Sequence, residues 1–152
     1  MAFYLYSTLV VAIVAVSVNN CSALSDEQKE LLKEKLKANV AECGPQYGVS
    51  FEDLLKWKEQ KKIPDDTNKC FHACMFKKSG LLDDKGLFSE SVGVEKVKLY
   101  VSADKLADAT AAVKICAAVN EQAVSDGDAG CDRAVLLAKC IHEQKELLGF
   151  PA

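Results

Sequence analysis

An all-α domain is what this sequence predicts, on three observations. Apolar residues recur every three or four positions along most of the chain. Helix-capping residues and helix-stopping Gly and Pro bracket those runs, and few segments have the length and flanking residues of ordinary strands. With 152 residues and 49% hydrophobic content, the chain has material for one domain with a core. It shows no internal repeat and no low-complexity tract.

The first segment stands apart from that domain. Met1 to Ala23 carries no charged side chain, and Leu9 to Val18 is an apolar run of signal-peptide length closed by Asn19 and Asn20. Small residues at Cys21 and Ala23 place cleavage before Leu24, so 1–23 is expected to be a secretory signal peptide and 24–152 the domain. An uncleaved anchor needs roughly 20 apolar residues, which this segment barely approaches. Cleavage also removes the sequon Asn20-Cys21-Ser22 and one of the 7 cysteines. Cys43, Cys70, Cys74, Cys116, Cys131 and Cys140 remain, an even set suited to an oxidising extracellular fluid.

Ser25 and Gln28 form a capping-box pattern, after which Leu32, Leu36, Val40 and Cys43 mark a first amphipathic helix stopped by Gly44-Pro45. Lysines and glutamates fill its other face, as on a solvated surface. Ser50 with Asp53 starts a shorter helix with Phe51, Leu54 and Leu55 on one face, ending in the surface charge cluster Lys58 to Lys62 before Pro64. Trp57 reads as a surface-facing packer. Asp65, Asp66 and Thr67 offer caps for a third helix that carries Cys70 and Cys74, runs through Lys78 and stops at Gly80. Asp83 to Gly86 is a turn, beyond which Val92, Val94, Val97, Leu99 and Val101 fit either a strand or, with Tyr100, a helical face. Asp104 to Val119 is apolar around most of its circumference, as expected of a central buried helix. Asp126 to Gly130 breaks the chain, and a last helix from Asp132 to Leu148 precedes an apolar tail ending at Ala152.

The charge and motif content excludes several functions. A net charge of -3, with lysines interleaved among carboxylates, leaves no cationic excess for nucleic acid. His72 and His142 are the only histidines. His72 lies between helical cysteines, as the histidine of secreted phospholipases A2 does, but Ala73 follows it where that site needs Asp, and no glycine-rich calcium loop is present. It is expected to be a partly exposed structural histidine or a modest pH sensor near its ordinary pKa of about 6.5. Paired C-x2-C knuckles, a Gly-x-Ser-x-Gly elbow and a P-loop are missing, so no catalytic residue, metal or cofactor is expected.

The cysteine spacing adds geometry. Cys70 and Cys74 project from nearly the same side of one helix, about 6 Å apart along its axis, so each is placed to bond outward to another element. Cys131 and Cys140 stand roughly on opposite sides of the last helix at about 100° per residue. Six cysteines allow about 15 pairings, and spacing alone selects none.

The ordered pattern C-x26-C-x3-C-x41-C-x14-C-x8-C, from Cys43 to Cys140, resembles the insect odorant-binding protein family, of the pheromone- and general-odorant-binding kind. The segment Cys70-Phe71-His72-Ala73-Cys74-Met75-Phe76, then Gly80-Leu81-Leu82-Asp83 and Gly86, is also similar to the family's third helix and following turn. The resemblance implies about six helices around an internal apolar cavity, with bonds Cys43 to Cys74, Cys70 to Cys131 and Cys116 to Cys140. The x14 gap is at the long end for the family, and the tail after Cys140 is too short for the cavity-filling helix of long-tailed moth members.

A hollow domain gives up packing, at roughly 24 cal/mol per Å³ of cavity in core-truncation experiments. Three disulfides, each worth about 2 to 4 kcal/mol, are a fitting compensation. Candidate ligand-binding residues are Leu54, Phe71, Met75, Leu82, Phe88, Val97, Tyr100, Val113, Ala117, Leu137, Ile141 and Phe150, each equally able to serve as plain core. Met75 offers an adaptable thioether and Tyr100 a phenol for a ligand hydroxyl or carbonyl.

The expected function is therefore a secreted, non-enzymatic carrier of a small apolar organic ligand, such as an odorant or pheromone, through extracellular fluid. A membrane receptor or a homodimer is left open as a further partner. The alternatives are a non-olfactory scavenger of hydrophobic or host-mediator ligands in saliva, venom or haemolymph, and a membrane-active or lipid-hydrolysing secretion, which the acidic balance disfavours.

Overall fold

The computed structural model describes residues 26–148. The signal segment, its cleavage site, the Ser25 cap and Phe150 lie outside them.

Helix α1 (Asp26–Tyr47) runs through Gly44-Pro45, where the sequence predicts a stop. Pro45 lies in the last turn, so its missing N–H forfeits only the bond to the Ala41 carbonyl. The end falls at Gly48, which takes the left-handed conformation (φ 65°), while the Val49 N–H donates to the Gly44 carbonyl at 3.1 Å. The inward face also starts later than expected. Leu31 and Leu32 are exposed, and burial begins with Leu36 and is complete at Val40 and Cys43.

The short helix α2 (Phe51–Glu59) has the capping box its sequence announces. The Asp53 N–H donates to the Ser50 hydroxyl at 3.1 Å, and the Ser50 N–H donates to the Asp53 carboxylate at 2.9 Å. Its packing face is Phe51, Leu54 and Trp57, whereas Leu55, expected on that face, is 43% exposed.

Helix α3 (Lys69–Lys78) begins later than the Asp65-Asp66-Thr67 caps suggest. Asp65 instead accepts the Thr67 N–H at 2.9 Å, and Asn68 accepts the Asp65 N–H at 3.0 Å, a local turn that competes with helix. Gly80 (φ 76°) lies just beyond its end.

The valine-rich stretch forms helix α4 (Glu90–Tyr100), capped by Ser89, whose hydroxyl accepts the Val92 N–H at 3.4 Å. A strand there would lack a partner, since the β pairing found among the described residues is one isolated bridge, Leu82 to Phe88. A Cβ on Gly93 would stand 2.8 Å from Val113 and 2.9 Å from Phe88, so the missing side chain is what lets α4 lie against α5 (Leu106–Cys116).

Short 3₁₀ turns, Ala103–Lys105 and Ala117–Glu121, flank α5. The sequence places this helix at the centre, but it packs on one side against α4 and α6 and leaves Ile115 56% exposed. Helix α6 (Cys131–Leu147) starts where the Asp126 carboxylate accepts the N–H groups of Cys131 and Asp132, at 2.6 and 3.1 Å. Buried Arg133 donates to the Val119 carbonyl and, at 2.8 Å, to the Gln122 carbonyl, tying α6 to the end of the preceding turn.

Of these six helices, α3 packs most extensively against α6 and next against α1, while α4 packs on α5 and α5 in turn on α6. Apolar burial divides on the two sides of α3. Ala73 joins Leu82, Phe88, Cys116, Val119, Ala134 and Leu137 in one cluster; Phe71 and Met75 join Val40 and Cys43 in the other. Disulfides follow the same seams, linking Cys43 with Cys74 (α1 to α3), Cys70 with Cys131 (α3 to α6) and Cys116 with Cys140 (α5 to α6). Lys69 adds an ion pair to Asp132 at 2.8 Å, and this lysine, with Ser125, holds the Asp132 carboxyl well below the usual carboxylate range.

Two variants test these constraints by chemical denaturation. Replacing Cys70 and Cys131 together by Ser, which opens a loop of 61 residues, is expected to cost about 4 kcal/mol. Gly93→Ala is expected to destabilise the protein, although Ala in a helix interior normally gains about 1 kcal/mol over Gly; a gain in stability would contradict the close α4–α5 contact.

Candidate ligand-binding cleft

A cleft of about 540 Å³ opens between the end of α2, the loop to Pro64, one face of α3 and one face of α6. Its wall combines aromatic and aliphatic side chains. The Trp57 ring lies 5.8 Å from the His72 ring, and His72 lies 6.5 Å from Phe76, one helical turn further along α3. Behind them, Phe71 meets Trp57 edge-on at 6.0 Å and 75°, a geometry that favours aromatic pairs. The α6 side is built by Ala138, Ile141, His142 and Lys145, whose spacing of three and four residues puts them on one face. Ile63 and Pro64 close the loop side.

The rim is cationic. Lys58, Lys61, Lys62 and Lys145 border the cleft with a single carboxylate, Glu146. Lys62 sits 5.5 Å above the Trp57 ring and 3.4 Å from Asp65, and Glu146 lies 3.4 Å from His142 Nε2.

His72 departs from its expected ordinary pKa. Burial among the rings pushes it down to about 4; Lys62 adds to the shift and Asp65 opposes it. The imidazole is therefore a neutral part of the wall at neutral pH. The lining includes no Ser, Thr or Cys, so it offers no hydroxyl or thiol nucleophile.

The residues chosen from the sequence fall in several places. Ile141 lines the cleft, and Phe71 stands directly behind its wall. Leu54 and Met75 pack with Phe71 in one cluster, while Leu82, Phe88, Val113, Ala117 and Leu137 pack in the other. Val97 and Tyr100 are half-buried on α4, and Phe150 lies outside the described residues. Trp57, Ile63, Pro64, Phe76, Ala138 and the rim lysines were not among those choices. Helical spacing offers a signal for part of the set, since His72 and Phe76 are four apart and Ala138, Ile141 and Lys145 are three and four apart.

A six-helix domain with three disulfides and an apolar cleft is the architecture of a small-ligand binding protein. The description of the PBP/GOBP family matches residues 25–144, and the chain belongs to that family. General odorant-binding protein 56a of Drosophila melanogaster is 30% identical over 146 residues, 95% of this chain and 95% of that protein. The solved odorant-binding protein dmelOBP28a from Drosophila melanogaster matches with a TM-score of 0.63 and 28% identity, over 82% of this chain and 99% of that one. A structure of the fatty acid binding protein OBP56a from the oral disk of the blowfly Phormia regina matches with a TM-score of 0.56 and 30% identity, over 82% of this chain and 96% of that one.

His72 makes stability depend on pH in a defined direction. Its folded pKa lies below its unfolded value, so its contribution is complete above about pH 6.5 and is lost as pH falls toward 4. Between pH 7 and pH 5 the wild-type protein is expected to lose stability more steeply than His72→Phe, by at most about 1.4 kcal/mol per pH unit; equal slopes in denaturation series would contradict the partial burial of this imidazole.

Proposed function

We propose that the protein is a secreted, non-enzymatic carrier, released after removal of residues 1–23, that takes a small hydrophobic molecule through aqueous fluid in the cleft between α2, α3 and α6. The observation that carries this reading is an apolar cleft of about 540 Å³ walled by Trp57, Phe76 and Ile141 on helices joined by disulfides. That volume is within the range of about 300–1,000 Å³ typical of small-ligand pockets. The absence of a membrane-spanning helix among the described residues is compatible with a freely diffusing carrier.

Affinity comes from burial. A ligand that buries roughly 250 Å² of apolar area gains about 6 kcal/mol at 25 cal/mol per Å² before ordering costs, which corresponds to binding in the micromolar range. In this reading Ile141 touches the ligand, Phe71 backs the wall, and Leu54, Met75 and Leu137 keep it rigid. The blowfly fatty acid binding protein supports an extended acyl chain as the kind of shape accommodated.

Trp57 is the single tryptophan and lines the cleft, so it reports occupancy directly. Long-chain alcohols, esters, aldehydes or fatty acids are expected to displace an environment-sensitive apolar fluorophore and to change Trp57 emission with the same midpoint. Ile141→Glu is expected to weaken binding about tenfold, the cost of a charge facing an apolar ligand. Failure of every such ligand to displace the fluorophore would overturn the carrier reading.

A further inference from the structure

His72 is set into the cleft wall among three rings. Trp57 lies 5.8 Å away, Phe76 lies 6.5 Å away, and Phe71 meets the imidazole edge-on at 5.3 Å and 75°. Resting on the carrier reading, we propose that His72 is the specificity-determining residue of this cleft: one of its ring nitrogens accepts a hydrogen bond from a hydroxyl on the guest, so that apolar alcohols are preferred over ethers and hydrocarbons of the same shape.

The first argument is access. Neither His72 ring nitrogen is hydrogen-bonded to another described residue. Among the described residues, the buried polar side-chain atoms that lack a partner are Asp126 Oδ1 and Arg133 Nε, so the His72 nitrogens are unpartnered without being sealed off. They reach the surface, and the surface that His72 lines is the cleft. Burial among the rings holds the imidazole pKa at about 4, which keeps one nitrogen free as an acceptor at neutral pH.

The second argument is the chemistry of the other lining side chains. Trp57 and the four rim lysines can only donate. His142 and Glu146 face each other at 3.4 Å. Ile63, Pro64, Phe76, Ala138 and Ile141 have no polar side-chain atom. A carbonyl or ether oxygen on a guest therefore meets several donors, whereas a hydroxyl proton meets its neutral, unpaired acceptor in His72. A hydroxyl carried into an apolar cleft without an acceptor forfeits the hydrogen bond it made in water, so a single acceptor separates guests of similar shape. The sequence suggests Tyr100 for this kind of contact, but Tyr100 ends α4 and is not part of the cleft lining.

The test compares a long-chain alcohol with its own methyl ether in fluorophore displacement from the intact disulfide-bonded protein. Burial alone ranks the ether, which has one more carbon, about fourfold ahead. The wild type is instead expected to bind the alcohol at least as tightly as the ether. His72→Phe keeps a ring in the wall and removes both nitrogens, and it is expected to weaken the alcohol about fivefold relative to the ether, as loss of one neutral hydrogen bond would. His72→Gln, whose side-chain carbonyl is again an acceptor, is expected to restore the preference for the alcohol, a rescue that a merely structural histidine would not give. An alcohol-to-ether ratio unmoved in His72→Phe, or lost equally in His72→Gln, would overturn the proposal and leave the carrier reading standing. An ether bound ahead of the alcohol by the wild type would do the same without any variant. Displacement by neither ligand would overturn both.

Discussion

The position of α3 is the constraint on which the rest of this structure depends. It carries Cys70 and Cys74 four residues apart, and their bonds to Cys131 and Cys43 fasten one short helix to α6 on one side and α1 on the other. A helix held from two directions can bury Phe71 and Met75 in one cluster and Ala73 in another without a large continuous core around it. It can also leave a third face uncovered. That face presents His72 and Phe76, and with Trp57 from α2 and Ile141 from α6 it becomes the wall of a cleft.

The physical logic joins stability to function. Small domains have limited apolar area with which to offset the loss of chain entropy, and a domain that withholds part of that area for a guest is worse placed still. Crosslinks act on the unfolded chain and do not require the cleft to be filled. They allow an open, adaptable apolar wall on an otherwise rigid scaffold. The half-buried, neutral imidazole of His72 belongs to the same design, since it forms part of the wall without bringing a charge to it at neutral pH.

Much of the fold was legible in the sequence because its signals are local. The Ser50–Asp53 box, Gly80 after α3 and the break before α6 each depend on a few adjacent residues, and they lie where the sequence places them. The errors have physical causes of the same kind. Gly44-Pro45 looked like a stop, yet proline in a final turn sacrifices one hydrogen bond and the helix continues to Gly48. The apolar circumference of α5 looked central, but Ile115 faces outward because only one side of that helix meets neighbours. The valine stretch fits strand or helix by its pattern alone, and what favours the helix is tertiary: Gly93 permits the close approach of α4 to α5.

The site was less legible than the fold, because a cleft is a property of three elements that sequence does not place side by side. Apolar periodicity picks out Leu82, Phe88 and Leu137, which are the solid core, as readily as Ile141, which lines the opening. Trp57 and the Lys58 to Lys62 cluster read as ordinary surface until α6 brings Ile141 and Lys145 opposite them. The most direct measurement of the account is backbone and side-chain NMR during titration with a long-chain ligand. Resonance shifts centred on Trp57, Ile63, Phe76, Ala138 and Ile141 are the result it predicts. Shifts confined to α4 and α5, around Val97, Tyr100 and Val113, would contradict it by locating the guest elsewhere in the fold.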